Sequence, residues 1–335
     1  MLDVANHLRI KDMDLPTIRD VYRAKQTIAP YITRSPLHFS AGLSDLLDAD
    51  VYLKHDEHLP LGAFKARGGI NLLANLTQEE RNKGVITAST GNHGQSIANA
   101  CRIFGSRALI ALPENANPLK VAAMKALGAE LIFHGENFDQ ARVYCERLAV
   151  EEGYRYAHPA NETLLIAGVA TETLEVVEDL PDVEVIVMPL GGGSSAAGAC
   201  IVAKAISSDI KVIAVQSESA PGGYRSWEAG RLVEDINQTI AEGLATASGY
   251  ELPQAVLRKH LDDFVLVSDD EIRCAIGLLI EKAHTMAEAA GAAATAGAVK
   301  IRESLKGKKV SIAISGGNIT VDQLAEAIKV YKDTW

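Results

Sequence analysis

Lys65 is where this sequence first reads as chemistry. It stands in Leu61-Gly62-Ala63-Phe64-Lys65-Ala66-Arg67-Gly68-Gly69, an amine set among glycines and apolar side chains. A lysine drawn out of water loses basicity and becomes a usable nucleophile for Schiff-base formation, whereas a solvated one stays protonated. Three further segments are polar where a plain loop needs no polarity. Thr87-Ala88-Ser89-Thr90-Gly91-Asn92-His93-Gly94-Gln95 opens a helix, where unpaired backbone N–H groups and the helix dipole suit a carboxylate; an N-cap accounts for one or two of its polar residues. Gly191-Gly192-Gly193-Ser194-Ser195-Ala196-Ala197-Gly198 lets successive N–H groups close around a phosphate. Ser315-Gly316-Gly317-Asn318 offers a hydroxyl in a sequence equally suited to a turn.

Two other chemistries compete for these residues. Gly191, Gly193 and Ala196 satisfy the dinucleotide fingerprint GxGxxA, which points to an oxidoreductase. Its acidic ribose ligand is missing, because Gln216 ends the next strand, and the motif lies in mid-chain rather than in the first βαβ unit. A single phosphate is the better fit. His55-Asp56-Glu57-His58 imitates a metal cluster, but four adjacent residues cannot all face one ion, so the run reads as an exposed polar loop.

The elements that must position these groups alternate between short β-branched runs and helix-length segments. Strands are expected at 85–87, 108–112, 130–133 and 154–157, with helices over 93–104, 118–127 and 138–151. A second series has strands at 185–188, 212–215, 264–267 and 310–314 and helices over 195–205, 270–282 and 287–306. The N-terminal seventy residues supply a helix over 15–27 and an extended run at 51–54, which fold onto the second series. The pattern predicts an α/β protein of two open parallel-sheet lobes: 1–72 with 159–335 as the large one, 73–158 as the small one, the cleft between them holding the site.

Composition limits the function classes. The chain has 335 residues and a formal net charge of −10, and an acidic surface argues against nucleic acid as partner. No run approaches the apolar length of a membrane helix, and the polar start (Asp3, Arg9, Lys11, Asp12, Asp14) does not read as a secretory signal. Four cysteines, Cys101, Cys145, Cys200 and Cys274, lack CxxC spacing and read as reduced, half-buried thiols. A cytoplasmic enzyme is expected.

Read in order, the segments resemble the fold-type II pyridoxal-phosphate enzymes, in particular their serine/threonine dehydratase branch. The resemblance runs from Ser35-Pro36-Leu37 through Ala63-Phe64-Lys65-Ala66-Arg67-Gly68, Ser89-Thr90-Gly91-Asn92-His93, His158-Pro159 and residues 191–198. It continues through Glu242-Gly243-Leu244-Ala245 to Ser315-Gly316-Gly317-Asn318. It implies that Lys65 carries the cofactor as a Schiff base and that Gly191, Gly192, Gly193, Ser194 and Ser195 bind its phosphate. It also implies that Asn92 bonds the ring hydroxyl, that Phe64 and Gly243 lie beside the ring, and that Ser315 meets the pyridine nitrogen. Ser89, Thr90, Gly91, Asn92 and His93 hold the substrate carboxylate, and Thr90 stands where the racemase branch uses a catalytic serine.

The implied activity is elimination of water from a small β-hydroxy amino acid, threonine or serine by default, to give a 2-oxo acid and ammonia. The implied assembly is a dimer or tetramer. Racemisation, or a rarer substrate such as 3-hydroxyaspartate, phenylserine or a hydroxyectoine-derived amino acid, stays open, because Leu61-Gly62-Ala63 replaces the family's Thr-Gly-Ser. Gln216 and Gly222 stand where some relatives bind a divalent ion through acidic residues, so no such ion is expected there. The sequence stops soon after Ser315, so no C-terminal regulatory domain is expected. Thr246, Ala160 and Asn161 are candidates for substrate selectivity by position alone.

Overall fold

The computed structural model describes residues 15–116, 118–136 and 138–334. The N-terminal stretch read for targeting, and Trp335, lie outside these residues. Among the described residues ten strands form two sheets: β1 Leu37–Phe39, β2 Asp50–His55, β3 Val85–Ala88, β4 Ala108–Leu112, β5 Glu130–Phe133, β6 Arg155–Tyr156, β7 Val185–Pro189, β8 Lys211–Ser217, β9 Asp263–Val267 and β10 Lys309–Ile314. The larger sheet runs β1-β2-β10-β7-β8-β9 and the smaller β5-β4-β3-β6. All pairings are parallel except the edge pair β1–β2.

Central parallel strands such as β4 and β7 are apolar on both faces because helices cover both. Along β7, Val185 and Val187 join the core under helices Asp269–Ala283 and Ala289–Lys300, while Ile186 and Met188 join the core under helix Ser194–Ile206. This is the two-residue alternation of a strand buried on both sides. In the small lobe, helix Asn92–Phe104 packs on one face of its sheet and helix Phe138–Glu152 on the other.

The fold departs from the sequence reading in four places. β1 is a three-residue antiparallel edge strand, too short to show a period. The segment 287–306 is two helices, Ala289–Lys300 and Arg302–Leu305, broken at Ile301. All four cysteines are buried rather than half-buried; burial pushes the thiols of Cys101, Cys145 and Cys200 up to about 12, so they stay protonated. Residues 56–58 form a 3-10 turn rather than an exposed loop: His55 and Asp56 are buried and only His58 is exposed.

Helix Lys65–Asn75 is wedged between the lobes. A Cβ at Gly69 would overlap the Ser96 hydroxyl of helix Asn92–Phe104. One at Gly68 would come to 2.8 Å from Leu165 on helix Thr163–Val169. The glycines after Lys65 therefore let helices approach closely. Arg67 anchors the same helix to the large lobe. Its guanidinium, fully buried, donates to Asp56 at 2.8 and 2.9 Å and to Glu175 at 2.8 Å, while Lys54 reaches Glu175 at 2.6 Å. Two cations facing two carboxylates offset the desolvation that any one of these charges alone would suffer.

Candidate active site

Three neighbouring parallel strands of the large sheet, β2, β10 and β7, end on one edge, and the loops leaving them carry the segments singled out in the sequence. The loop after β2 leads to Lys65, Ser315 follows β10, and residues 191–193 follow β7. The fourth segment, Ser89 to Gln95, leaves β3 of the other sheet. Crevices beyond the carboxyl ends of parallel strands are where such folds take ligands.

The Lys65 loop is stitched to the Ser315 loop. Phe64 N donates to Ser315 O at 3.0 Å, Gly317 N donates to Gly62 O at 2.9 Å, and Ala63 pairs with Gly316 as an antiparallel bridge. Leu61, at φ 74°, and Gly62, at φ 63°, turn the chain through the left-handed region just before it. At Leu61 this is a local strain that the surrounding bonds hold in place. Lys65 then opens its helix with its amine donating to Ser194 Oγ at 3.1 Å and to Pro159 O at 3.3 Å, 5.1 Å from the centre of the Phe64 ring. Burial lowers its pKa from 10.5 to about 8, so a substantial neutral fraction is present near physiological pH.

The glycines after β7 serve two needs. A Cβ on Gly191 would overlap the carbonyl oxygen of Gly243, so part of the run allows that strap to close over it. Gly193 sits at φ 86° as the residue preceding helix Ser194–Ile206. The first N–H groups of that helix have no acceptor within it. Ser194 and Ser195 lie buried beside them.

Asn92 belongs to a chain of side chains crossing the cleft. Its amide nitrogen donates to Glu288 Oε1 at 2.7 Å, and its oxygen accepts from Asn318 Nδ2 at 2.9 Å. Asn318 Nδ2 also donates to Leu61 O at 2.8 Å. A Cβ at Gly316 would overlap Glu288 Oε1, so the carboxylate fills the space that glycine leaves. Burial raises the Glu288 carboxyl above its ordinary pKa, against the lowering effects of Lys120 and Asn92. The sequence reading passed over Glu288; the available signal was a lone acid at the head of an otherwise Ala/Gly helix.

Within the β3 segment, Ser89 Oγ accepts from Gly91 N at 3.2 Å and Gly94 N at 2.9 Å, while the half-buried hydroxyl of Thr90 has no hydrogen-bond partner among the described residues. The His93 ring is tied inside the small lobe: Nε2 lies 3.0 Å from Thr87 Oγ1 and 3.2 Å from Ala157 O. Burial, then the Lys65 charge, lowers its pKa to about 3, so the ring is neutral. His158 is likewise neutral, lowered to about 4 mainly by burial, and its Nδ1 accepts from the amides of Ala160 and Asn161. Lys120 of the small lobe pairs with Glu242, next to Gly243.

Of the positional candidates, Asn161 is held by Glu251 and the Leu252 amide, and Thr246 lies 3.4 Å from Gly191 O. Ala160 touches the site through Gly192, whose added Cβ would lie 3.2 Å from the Ala160 methyl. Gln216 is fully buried and accepts from Tyr224 N at 3.0 Å, and a Cβ at Gly222 would overlap the backbone of Ala247.

A low-pKa lysine, a glycine turn at a helix N-terminus and a two-lobed parallel-sheet frame define a cofactor enzyme of the Schiff-base class. Residues 28–316 match the family of pyridoxal-phosphate dependent enzymes, and the chain belongs to that family. It is 39% identical over 313 residues to the L-threonine ammonia-lyase of Thermotoga maritima, covering 93% of this chain and 78% of that protein. It is 34% identical to the L-threo-3-hydroxyaspartate ammonia-lyase of Saccharomyces cerevisiae, covering 96% of this chain and 99% of that one. Among solved structures, maize serine racemase superposes with a TM-score of 0.89 at 30% identity, covering 96% of this chain and 99% of that one. The residues present fit the cofactor: the turn ending at Gly193 leaves unpaired N–H groups for a phosphate, and the Lys65 amine lies one hydrogen bond from Ser194 at that turn.

Proposed function

We propose that the chain is an ammonia-lyase that removes water from a small β-hydroxy amino acid, with threonine and serine as first substrates, releasing a 2-oxo acid and ammonia. The observation that carries this reading is the Lys65 amine, held at 3.1 Å from Ser194 Oγ with its pKa lowered to about 8. Pyridoxal phosphate supplies, when bound, the electron sink that acidifies the α-hydrogen of the amino acid. In this reading Lys65 would hold the cofactor and, as a free amine, would take the α-hydrogen as general base. Gly191, Gly192, Gly193, Ser194 and Ser195 hold the phosphate. Asn92 would hydrogen-bond the ring hydroxyl, Phe64 and Gly243 would lie beside the ring, and Ser315 would meet the ring nitrogen. A neutral serine there, unlike a carboxylate, would not hold that nitrogen protonated, which would favour prompt elimination.

The segment Ser89, Thr90, Gly91, Asn92 and His93 would hold the substrate carboxylate. The departing hydroxyl needs a proton donor, the cofactor phosphate or a nearby hydroxyl, and the uncommitted Thr90 hydroxyl is the candidate of the second kind. That same free hydroxyl supports a second reading, racemisation beside elimination, which a D-amino-acid assay on the product mixture decides. We further propose that 1–72 with 159–335 form the large cofactor-binding domain and 73–158 the small one, and that the enzyme is cytoplasmic and a homo-oligomer. Light scattering on the purified protein tests the last point.

Lys65→Ala is expected to abolish both the near-visible absorbance of the purified protein and the release of 2-oxo acid across a panel of threonine, serine, 3-hydroxyaspartate and phenylserine. A variant that keeps either one defeats the assignment. The panel, run on the unmodified enzyme, ranks the substrates.

A further inference from the structure

We propose that His55, Glu57 and His58 form a binding site for one divalent transition-metal ion of the zinc or cobalt type, outside the catalytic cleft. The 3-10 turn Asp56–His58 separates residues that a flat reading leaves side by side. Asp56 turns away to the Arg67 guanidinium, while one ligand atom from each of the other three falls within 4.8 Å of the others. His55 Nδ1 is 2.6 Å and His58 Nε2 3.6 Å from Glu57 Oε1. Two imidazoles and a carboxylate are a zinc-type donor set, and water completes such a set to four.

A second observation points to a cation. The Glu57 side chain is only 4% exposed, and its other oxygen, Oε2, is buried with no hydrogen-bond partner among the described residues. A buried carboxylate with an idle oxygen is costly unless something positive meets it. The His55 side chain is 5% exposed and fixed, with Thr285 Oγ1 3.5 Å from Nδ1, whereas that of His58 is 52% exposed; its ring stacks on that of His55 with centroids 4.9 Å apart, and binding turns it out of the stack so that its lone pair meets the ion. The site abuts the catalytic frame: His55 ends β2 opposite Ile314, and a Cβ at Gly317 would lie 3.3 Å from Glu57 Cβ. An ion there braces the turn under the loop that carries Ser315.

The test uses the cofactor-loaded enzyme, freed of metal with a chelator and titrated with Co2+ by visible absorption and calorimetry. One equivalent is expected to bind with the intense bands of tetrahedral cobalt, to be displaced by Zn2+, and to raise the thermal midpoint. His58→Ala, which alters an exposed side chain, and Glu57→Gln are each expected to weaken binding by more than about tenfold, the least that loss of even an outer-shell partner commonly causes. His134→Ala, at a distant ring, is expected to leave it unchanged. No saturable binding overturns the site, as does binding of unchanged strength in both His58→Ala and Glu57→Gln. The cofactor absorbance, read in the same cuvette, reports that each variant is folded.

Discussion

At the scale of single residues, the site rests on two buried groups whose ionisation the fold has displaced in opposite senses. Lys65 is less basic than free lysine because its amine has left water. Without cofactor, the unfolded chain holds that proton to about pH 10.5 and the folded chain only to about 8. Between these values the unfolded state binds more protons, so the contribution of this group to stability rises with pH through the window. Denaturant unfolding of the cofactor-free protein at pH 8 and pH 10 is expected to show that increment, and Lys65→Met to remove it. Glu288 is displaced upward by burial and holds Asn92 at 2.7 Å. Glu288→Ala strands that amide at a cost of about 1–3 kcal/mol. Cofactor affinity, read by fluorescence titration of the cofactor-free protein, should therefore fall by about tenfold or more; unchanged affinity removes Glu288 from the site.

At the scale of elements, what was legible followed from periodicity and what was not followed from contact. Nine of the ten strands among the described residues coincide with extended segments visible in the sequence, most plainly where a buried parallel strand is continuous in hydrophobicity, as in β4 and β7. β1 escaped because three residues show no period. The Lys65 segment, the glycine turn and the Ser315 loop were each readable as local signals. That Asn92 meets Glu288 across 196 positions of sequence was not, since no local pattern encodes which distant loop lies opposite. The buried turn at His55 to His58 was misread for the same reason: Arg67, eleven residues on, is what draws Asp56 inward. Gly191 permits a prediction of its own. Its Cβ would strike the backbone of Gly243 rather than a movable side chain, so Gly191→Ala is expected to cost about 1–3 kcal/mol and to weaken cofactor binding. Thermal unfolding of loaded and cofactor-free protein measures both.

At the scale of the whole molecule, the two lobes meet at the wedge helix Lys65–Asn75 and at the Lys120–Glu242 pair. The pair is partly exposed, so Lys120→Met is expected to change stability by less than about 1 kcal/mol. If the pair helps hold the lobes together over substrate, the same change lowers kcat/KM, and steady-state kinetics beside a melting curve separate the two effects. Acid acts on the molecule through its neutral histidines. His93 and His158, near 3 and 4 when folded, gain protons near 6.5 when unfolded. Their contribution to stability is complete above pH 6.5 and is lost as pH falls toward 4. His93→Gln is expected to flatten that slope in unfolding curves taken between the two values.

The order of the large sheet carries one more consequence. β10, bonded to β2 on one side and β7 on the other, follows both of them in sequence and is the last strand among the described residues. During translation β2 and β7 emerge early and have no direct bond to each other until the ribosome has delivered residues 309–314. A nascent chain halted before that point lacks both the seam of its largest sheet and the residue at 315, so vitamin capture must wait until that strand and the loop after it have emerged.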